Sequence, residues 1–231
     1  GVDLADTRQR VFHSKRLIER SASWWRRSLS DWQLFKAMLH PFFGAALGVR
    51  EAASYFTLPT RRTRDYRLRM AAVGVGSALY DYAGVGTVVD LAPGLGGGDR
   101  IIAPGDIRVI RNPGARPHVF GLGGQETALI WERPGEAAAH SRGAAGRVVF
   151  SEVYYPGWQA SVDGKAAAVE LFEDTFPSVP VGLGEHSVRF VYSPWSFRIG
   201  AGISLAAILA WIWLRFRHRI ASTTASAGFL L

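Results

Sequence analysis

Apolar and polar positions divide the chain into four parts. Residues 1–89 have mainly helical periodicity, whereas residues 90–194 alternate apolar and polar side chains in short runs that Gly and Pro separate. A nearly uninterrupted apolar run occupies residues 195–216, and residues 217–231 form a tail after it. The pattern predicts a mixed fold with an α-rich N-terminal segment, a mainly-β domain and one C-terminal apolar helix.

The β-rich part carries strand patterns and a turn signal. Residues 186–192 alternate, with Val188, Phe190 and Tyr192 on one face and Ser187 and Arg189 on the other. Asp163-Gly164 is the signal of a two-residue hairpin turn of type I′. Further strands are predicted at residues 107–110, 127–132, 147–155, 159–162 and 165–171. About seven short strands with turns between them favour a β-sandwich, Ig-like or jelly-roll-like.

The N-terminal part is predicted to be helical in three places. Its periodicity favours helices over residues 3–29, 31–39 and 65–82. Gly74 and Gly76 weaken the third helix, because glycine is a poor helix former. We expect these helices to precede the β-rich domain as a separate segment.

The apolar run near the end predicts a transmembrane helix. Ile199 to Leu214 are sixteen residues without a charge, which form about 24 Å of helix. Extension back to Trp195 reaches about the 30 Å of a bilayer core and includes Arg198, which can reach the headgroups from the helix end. The alternatives are a buried helix of a soluble protein and an interfacial helix, but the run is apolar on every face.

The residues that flank this helix predict its anchoring and its orientation. Aromatic side chains stand near both of its ends, where membrane interfaces would lie: Trp195, Phe197, Trp211 and Trp213. Arg198 alone precedes the uncharged run, and three arginines follow it: Arg215, Arg217 and Arg219. The positive-inside rule therefore predicts a cell-membrane protein with a cytoplasmic C-terminus and an extracytoplasmic β-domain.

The net charge of +8 lies in the first 70 residues, which hold 14 Lys+Arg against 6 Asp+Glu. Its densest part, Arg61 to Arg69, has Tyr55, Phe56 and Tyr66 nearby, a combination that single-stranded nucleic acid could use. An extracytoplasmic location favours instead an anionic surface, either lipid phosphates or an envelope polymer. A solvated loop is the structural alternative. We predict no nucleic-acid partner.

The sequence offers little for catalysis or metal binding. With no Cys, the chain has no disulfide, no thiolate nucleophile and no Cys-based zinc site. Its six histidines never pair at helical spacing, and the glycine-rich residues 94–98 lack the continuation of a phosphate-binding loop. We predict no catalytic residue, no metal and no cofactor in this chain. An independent enzyme within the β-domain is the weaker alternative.

An aromatic motif, Tyr154 to Trp158 (YYPGW), is the candidate ligand site. Sugars stack on aromatic rings, so Tyr155 and Trp158 could bind a carbohydrate, with Asp163 as a hydrogen-bonding partner. The same aromatic side chains could instead fill the interior of the sandwich at a strand end. The carbohydrate hypothesis therefore rests on Tyr155, Trp158 and Asp163.

A series of short motifs leads into the apolar helix: VFSEVYYPGW at 149–158, VDGK at 162–165, GEH at 184–186, VRFVY at 188–192 and PWSF at 194–197. In this order they resemble the C-terminal region of YfhO-type bacterial membrane proteins, over residues 147–200. A weaker likeness covers residues 79–89 and 107–120. Glu173 to Phe176 depart from the family, which commonly has an Asn-aromatic-Arg element there, so a shared ligand contact is not expected at that loop.

The resemblance implies a parent protein of the GT-C architecture, a multi-pass glycosyltransferase that uses lipid-linked sugars and modifies cell-envelope polymers. The catalytic loop of that architecture lies among N-terminal helices that have no counterpart here. We therefore expect a non-catalytic extracytoplasmic accessory domain with its membrane anchor. Its expected partners are the lipid bilayer, the upstream transmembrane helices of the parent and a cell-envelope glycan. The alternative is a stand-alone, single-pass membrane-anchored carbohydrate-binding or structural protein.

Overall fold

The computed structural model describes residues 9–22, 49–52, 60–93 and 104–227. The helices in these ranges are α1 (Lys15–Ala22), α2 (Arg61–Val73), α3 (Ala78–Tyr82) and α4 (Trp195–Ala227). The strands are β1 (Arg10–His13), β2 (Val85–Leu91), β3 (Ile107–Arg111), β4 (Val119–Leu122), β5 (Gln125–Arg133), β6 (Glu136–Gly143), β7 (Gly146–Phe150), β8 (Trp158–Val162), β9 (Lys165–Ala167), β10 (Glu170–Phe172), β11 (Phe176–Val181) and β12 (Gly184–Tyr192).

Strands β4 to β12 form a sandwich of two antiparallel sheets. One sheet has the order β5-β6-β12-β8-β9, and the other has the order β10-β11-β7-β4. Alternate residues of each strand point between the sheets, and there they form an apolar core. The larger buried side chains of this core are Val119, Val148, Phe150, Val179, Val188 and Phe190.

A third sheet packs against the outside of the sandwich. Its order is β1-β2-β3, with β1 parallel and β3 antiparallel to β2. Side chains of this sheet, of α2 and of α3 meet the outer face of the four-stranded sheet in a second core, which includes Phe12, Tyr66, Met70, Val88, Phe120, Val149 and Phe176. The four-stranded sheet is therefore buried on both faces.

The structure confirms the predicted mixed fold with its β-sandwich and its C-terminal apolar helix. The strand predicted at 186–192 is β12, and the strand at 127–132 lies within β5. The hairpin turn at Asp163-Gly164 joins β8 to β9, with φ of 52° at Asp163 and 76° at Gly164, as a type I′ turn requires.

Four local predictions need correction. The strand predicted at 147–155 ends at Phe150, and residues 151–155 belong to no strand. Residues 10–13, within the helix predicted over 3–29, form β1, because pairing with β2 buries Val11 and Phe12. The single strand predicted at 165–171 is two strands that belong to different sheets. The helix predicted over 65–82 is broken between α2 and α3, where Gly74 and Gly76 adopt positive φ.

Two further predictions concern the N-terminal part. The helix predicted at 31–39 lies outside the described residues. The domain boundary predicted after residue 89 falls within β2, which pairs with β1 on one side and with β3 on the other. The four-part division of the chain stays a prediction.

Helix α4 leaves the sandwich, and its apolar part is exposed along its length. Trp195–Phe216 is a stretch of 22 residues that is long and apolar enough to cross a membrane, and 0% of its most apolar window is buried. At 1.5 Å per residue it measures about 33 Å, close to the thickness of a bilayer core. Such a helix is stable only when something apolar surrounds it, which agrees with a membrane location.

Candidate functional site

The sandwich has one end from which α4 departs, and we call it the anchor end. β12 ends there at Tyr192, and only Ser193 and Pro194 separate it from the first residue of α4. Tyr192 pairs with Trp158 at the start of β8, so the loop that precedes β8 lies at the same end. Two linking residues span at most about 7 Å of chain. The anchor end must therefore stay next to the start of the apolar helix.

A glycine fixes the link between sandwich and helix. The backbone N–H of Ser193 donates a hydrogen bond of 2.9 Å to the carbonyl of Gly157. Gly157 has a φ of 117°, and a Cβ atom on it would lie 2.8 Å from the Cα of Pro194. The Pro-Gly turn of the YYPGW motif therefore sits directly on the residue that precedes α4, where a side chain has no room.

The predicted sugar-binding aromatics gather at the anchor end. The rings of Trp158 and Tyr192 have centroids 5.4 Å apart, and those of Tyr155 and Tyr192 are 6.5 Å apart. Trp158 also packs edge-on against Phe150 of the core, and its Nε1 donates to the carbonyl of Val153 at 3.3 Å. Tyr155 keeps 42% of its surface exposed. Trp158 thus has a packing role, while Tyr155 presents its ring to the surroundings.

Asp163 lies at the opposite end of β8 from Trp158, about 16 Å away along the strand. Its carboxylate accepts hydrogen bonds from Nδ1 of His186 and from the backbone N–H of Ser187, both at 2.8 Å. These bonds, the one from His186 first, lower the pKa of Asp163. The structure therefore brings Tyr155 and Trp158 together but places Asp163 elsewhere, as the closing residue of the hairpin.

The predicted anchoring residues lie at the two ends of the apolar stretch. The guanidinium of Arg198 lies 4.9 Å from the ring centroid of Trp195, and that of Arg215 lies 5.8 Å from the ring centroid of Trp211. Trp213 is 59% exposed. Arg217 and Arg219 continue the helix, and their side chains lie outside the described residues.

A second group of side chains at the anchor end was not predicted as a site. It consists of Arg10, Arg50, His118, Glu132 and Glu152, and we call it the charge cluster. His118 lies between the two carboxylates: Nδ1 is 2.6 Å from Oε1 of Glu132, and Nε2 is 2.9 Å from Oε1 of Glu152. Arg10 donates to Glu152 at 2.6 Å, and Arg50 donates to Glu132 at 3.1 Å.

The strands explain why these five residues meet. Glu132 is on β5 opposite Ala137, whose side chain points into the sandwich, so Glu132 faces inward as well. His118 directly precedes β4, and Glu152 follows the end of β7, which pairs with β4. The two arginines come from β1 and from the short segment at residues 49–52. The charge cluster therefore connects the N-terminal part of the chain to the sandwich.

Arg10 also forms hydrogen bonds outside the charge cluster. Its Nη1 donates to the carbonyl of Ala83 at 3.1 Å and to Oγ of Ser151 at 3.0 Å. The hydroxyl of Ser151 donates in turn to the carbonyl of Tyr82 at 2.7 Å. One side chain of β1 thus ties together the end of α3 and the end of β7.

In the charge cluster, burial and hydrogen bonding have opposite effects on the pKa values of the glutamates. Burial raises the pKa of Glu132, but hydrogen bonds and charges from His118 and Arg50 outweigh it and hold the pKa at about 2. Burial also raises the pKa of Glu152, and the bonds from His118 and Arg10 again give a net lowering. Burial lowers the pKa of Arg10 despite the nearby carboxylates. Both glutamates are therefore ionised partners of the arginines at neutral pH.

The charge cluster is suited to holding parts of the fold together. Both oxygens of Glu132 are occupied, one by His118 and the other by Arg50. The hydroxyl of Ser151, which accepts a hydrogen bond from Arg10, is fully buried and already donates to a carbonyl. Across the residues that the structure describes, no group of three or more His, Cys, Asp or Glu side chains could hold a metal ion.

Sequence patterns do not single out His118, Glu132 or Glu152, because the histidines do not pair at helical spacing and no spacing marks two of the carboxylates as a pair. The one usable signal was the position of Glu152, three residues before Tyr155 in the motif that carries the family resemblance. Nothing local marks Arg10 or Arg50, because each meets its partner across more than 80 residues of chain.

Comparison with known proteins supports the resemblance. Residues 142–204 match the model of a family described as "Bacterial membrane protein YfhO". The match runs from the end of β6 through β12 into the first ten residues of α4, so it includes the anchor end of the sandwich and the start of the apolar helix. No curated protein and no solved structure matches the chain.

Proposed function

We propose that the chain is a non-catalytic extracytoplasmic accessory domain together with its membrane anchor. Its parent would be a polytopic glycosyltransferase-like protein that acts on cell-envelope glycans, with the chemistry performed by transmembrane helices upstream of this chain. The sandwich would hold an acceptor glycan near the membrane or brace those helices. The family match over residues 142–204 and the apolar helix support the membrane part of this proposal.

The single observation that supports it best is the construction of the anchor end. A two-residue link and the Gly157–Pro194 contact hold the sandwich against the start of α4. At the same end, the charge cluster attaches the N-terminal part of the chain to the sandwich. A domain that is attached both to α4 and to the N-terminal part of the chain at one end is suited to support neighbouring helices. The side chains of the charge cluster are engaged in hydrogen bonds and ion pairs within the fold.

The orientation can be tested with single cysteines, because the chain contains no Cys. Lys165→Cys places a thiol on an exposed residue beside the β8–β9 turn, and Ser222→Cys places one after the arginines at the end of the helix. We expect a membrane-impermeant maleimide to label Lys165→Cys in intact cells and Ser222→Cys only after permeabilisation. The reverse labelling would reject the extracytoplasmic sandwich.

The existence of a longer parent protein can be tested in the genome sequence. We expect the reading frame to continue upstream of the first codon and to encode many hydrophobic segments. A start codon or a secretion signal at that boundary would favour the stand-alone, single-pass protein instead.

We also propose carbohydrate contact at the anchor end, through the exposed ring of Tyr155 next to Trp158. Asp163 is too far along β8 to share that sugar, so it would act in a separate contact. We expect Tyr155→Ala to weaken binding to envelope glycan fragments in isothermal titration, while Asp163→Asn at the other end of the strand leaves this binding unchanged. Trp158→Ala is a poor probe because Trp158 packs against Phe150. If folded Tyr155→Ala binds the glycan fragments as tightly as the unsubstituted chain does, Tyr155 does not contact the sugar.

A further inference from the structure

A cavity of about 440 Å³ lies between α2 and the start of α1, away from the anchor residues described above. Its floor is apolar and aromatic. Side chains of β1, α2, α3, β2 and the segment after α2 form it: Phe12, Leu68, Ala71, Val75, Tyr80 and Val88. This volume is in the range of small-molecule sites, and an apolar floor suits a hydrocarbon chain.

The rim of the α2 cavity is strongly basic. Four cationic side chains line it: Lys15, Arg16, Arg64 and Arg67. Among the described residues of the lining, Asp90 is the one acidic side chain. It accepts a hydrogen bond from the hydroxyl of Ser14 and pairs with Arg108 at 3.5 Å. Two of the four cations have partners of their own, because Lys15 pairs with Glu19 at 3.4 Å and Arg64 with Asp65 at 3.5 Å. Four cations against these two carboxylates still leave the rim with a net positive charge.

Among the rim residues, Arg67 is the one whose surroundings most favour an anionic ligand. It is half-buried, and within the described residues it has neither an ion pair nor a hydrogen-bond acceptor. Burial lowers the pKa of Arg67, and no carboxylate counteracts it. By contrast, Arg62 and Arg69 on the same helix bind the β10–β11 turn through the carbonyl of Asp174 and the carboxylate of Glu173. A partly buried arginine without a partner is costly unless a ligand supplies the negative charge.

We propose that the α2 cavity binds an anionic diacyl phospholipid, with the phosphate at the basic rim and an acyl chain on the apolar floor. A phosphate offers Arg67 and Arg64 the oxygen acceptors that guanidinium groups prefer. The apolar floor favours a phosphate that carries a hydrocarbon chain over a free anion. Because α4 holds the protein at a bilayer, anionic phospholipid is the phosphate-bearing amphiphile at high local concentration.

The test uses the full chain in a nonionic detergent and isothermal titration with three probes: dihexanoylphosphatidylglycerol, dihexanoylphosphatidylcholine and inorganic phosphate. We expect saturable binding of the phosphatidylglycerol, and at least fivefold weaker binding of the other two. Phosphatidylcholine has the same chains without net charge, and inorganic phosphate has the charge without the chains. Inorganic phosphate that binds as tightly as phosphatidylglycerol would overturn the lipid assignment.

Variants separate specific binding from partition into the micelle. Arg67→Gln should weaken phosphatidylglycerol binding at least fivefold, and Arg64→Gln, on an exposed side chain whose loss should leave the fold intact, should weaken it two- to fivefold. Arg61→Gln on the same helix is the matched control, because Arg61 lies outside the cavity and pairs with Asp65. We expect this control to bind within twofold of the parent chain. Equal affinities for all three variants would overturn the proposal.

Discussion

Arg10 on β1 and Glu152, 142 positions later in the chain, form an ion pair with a distance of 2.6 Å. The Arg10 side chain is only 13% exposed, whereas that of Glu152 is 41% exposed. This pair joins the third sheet to the end of the sandwich from which α4 departs. It is therefore the best place to test whether the N-terminal part and the sandwich fold as one unit.

Arg10→Met should lower the free energy of unfolding by about 2–3 kcal/mol. Removal of one partner of a fully buried pair costs about 3–5 kcal/mol, and the partial exposure of Glu152 reduces that cost. Chemical denaturation of the full chain in detergent measures the change. Arg142→Gln is the control, since Arg142 is exposed and lies 3.7 Å from an exposed Glu185, and it should change stability by less than about 0.5 kcal/mol. A loss as small as the control's would mean that the pair does not couple the two parts.

Acid should destabilise the protein through Glu132. Its pKa is about 2 in the folded protein against an ordinary 4.5, so the folded state favours the ionised form. The resulting stability is present above the unfolded pKa and is lost as the pH falls toward the folded pKa. Over roughly pH 5 to 2 the loss from this one group is about 3 kcal/mol.

Unfolding free energies measured as a function of pH test this linkage. Glu132→Gln should be less stable than the unsubstituted chain at neutral pH, and its stability should depend less steeply on pH in the acid range. Asp163→Asn is a useful comparison because that carboxylate is exposed and distant from the charge cluster. An unchanged acid slope in Glu132→Gln would show that other carboxylates determine it.

Gly157→Ala should destabilise the connection between the sandwich and α4. The φ of 117° is unfavourable for alanine, and the new methyl group would press on backbone atoms of Pro194, so we expect a cost of about 2–3 kcal/mol. Gly164→Ala is the matched control: its φ is 76°, nothing lies within 4 Å of the new Cβ, and strain alone should cost about 1 kcal/mol. The thermal unfolding midpoints of the two variants test this difference. Equal midpoints would contradict the close packing of Gly157 against Pro194.

A charge in the middle of α4 should weaken membrane integration. Leu205→Arg places a cation near the centre of the Trp195–Phe216 stretch, at a cost of about 2.5–3.5 kcal/mol. Phe216→Arg places the same charge at the end of the stretch, where it can reach the headgroups at little cost. The fraction of protein that resists alkaline extraction from membranes should fall for Leu205→Arg and stay high for Phe216→Arg. Equal fractions would mean that the helix does not span the bilayer.

Local sequence patterns were sufficient to predict much of the fold. The alternation in residues 186–192 predicted β12, and the Asp163-Gly164 pair predicted the turn between β8 and β9, because both depend on neighbours within a few residues. The absence of charge between Ile199 and Leu214 predicted the apolar helix for the same reason. The sequence by itself thus determined the apolar helix and most of the strands near it.

Contacts between distant residues were decided only by the tertiary structure. Residues 10–13 have a helical pattern, yet they form β1, because a parallel strand 75 positions away offers hydrogen bonds and a buried surface. His118 is the centre of the charge cluster because the start of β4 and the ends of β5 and β7 lie at the same end of the sandwich. Asp163 lies far from Trp158, although the two are close in sequence, because the extended strand β8 separates them. In each case the deciding energy comes from burial and pairing across the fold, which short stretches of sequence do not encode.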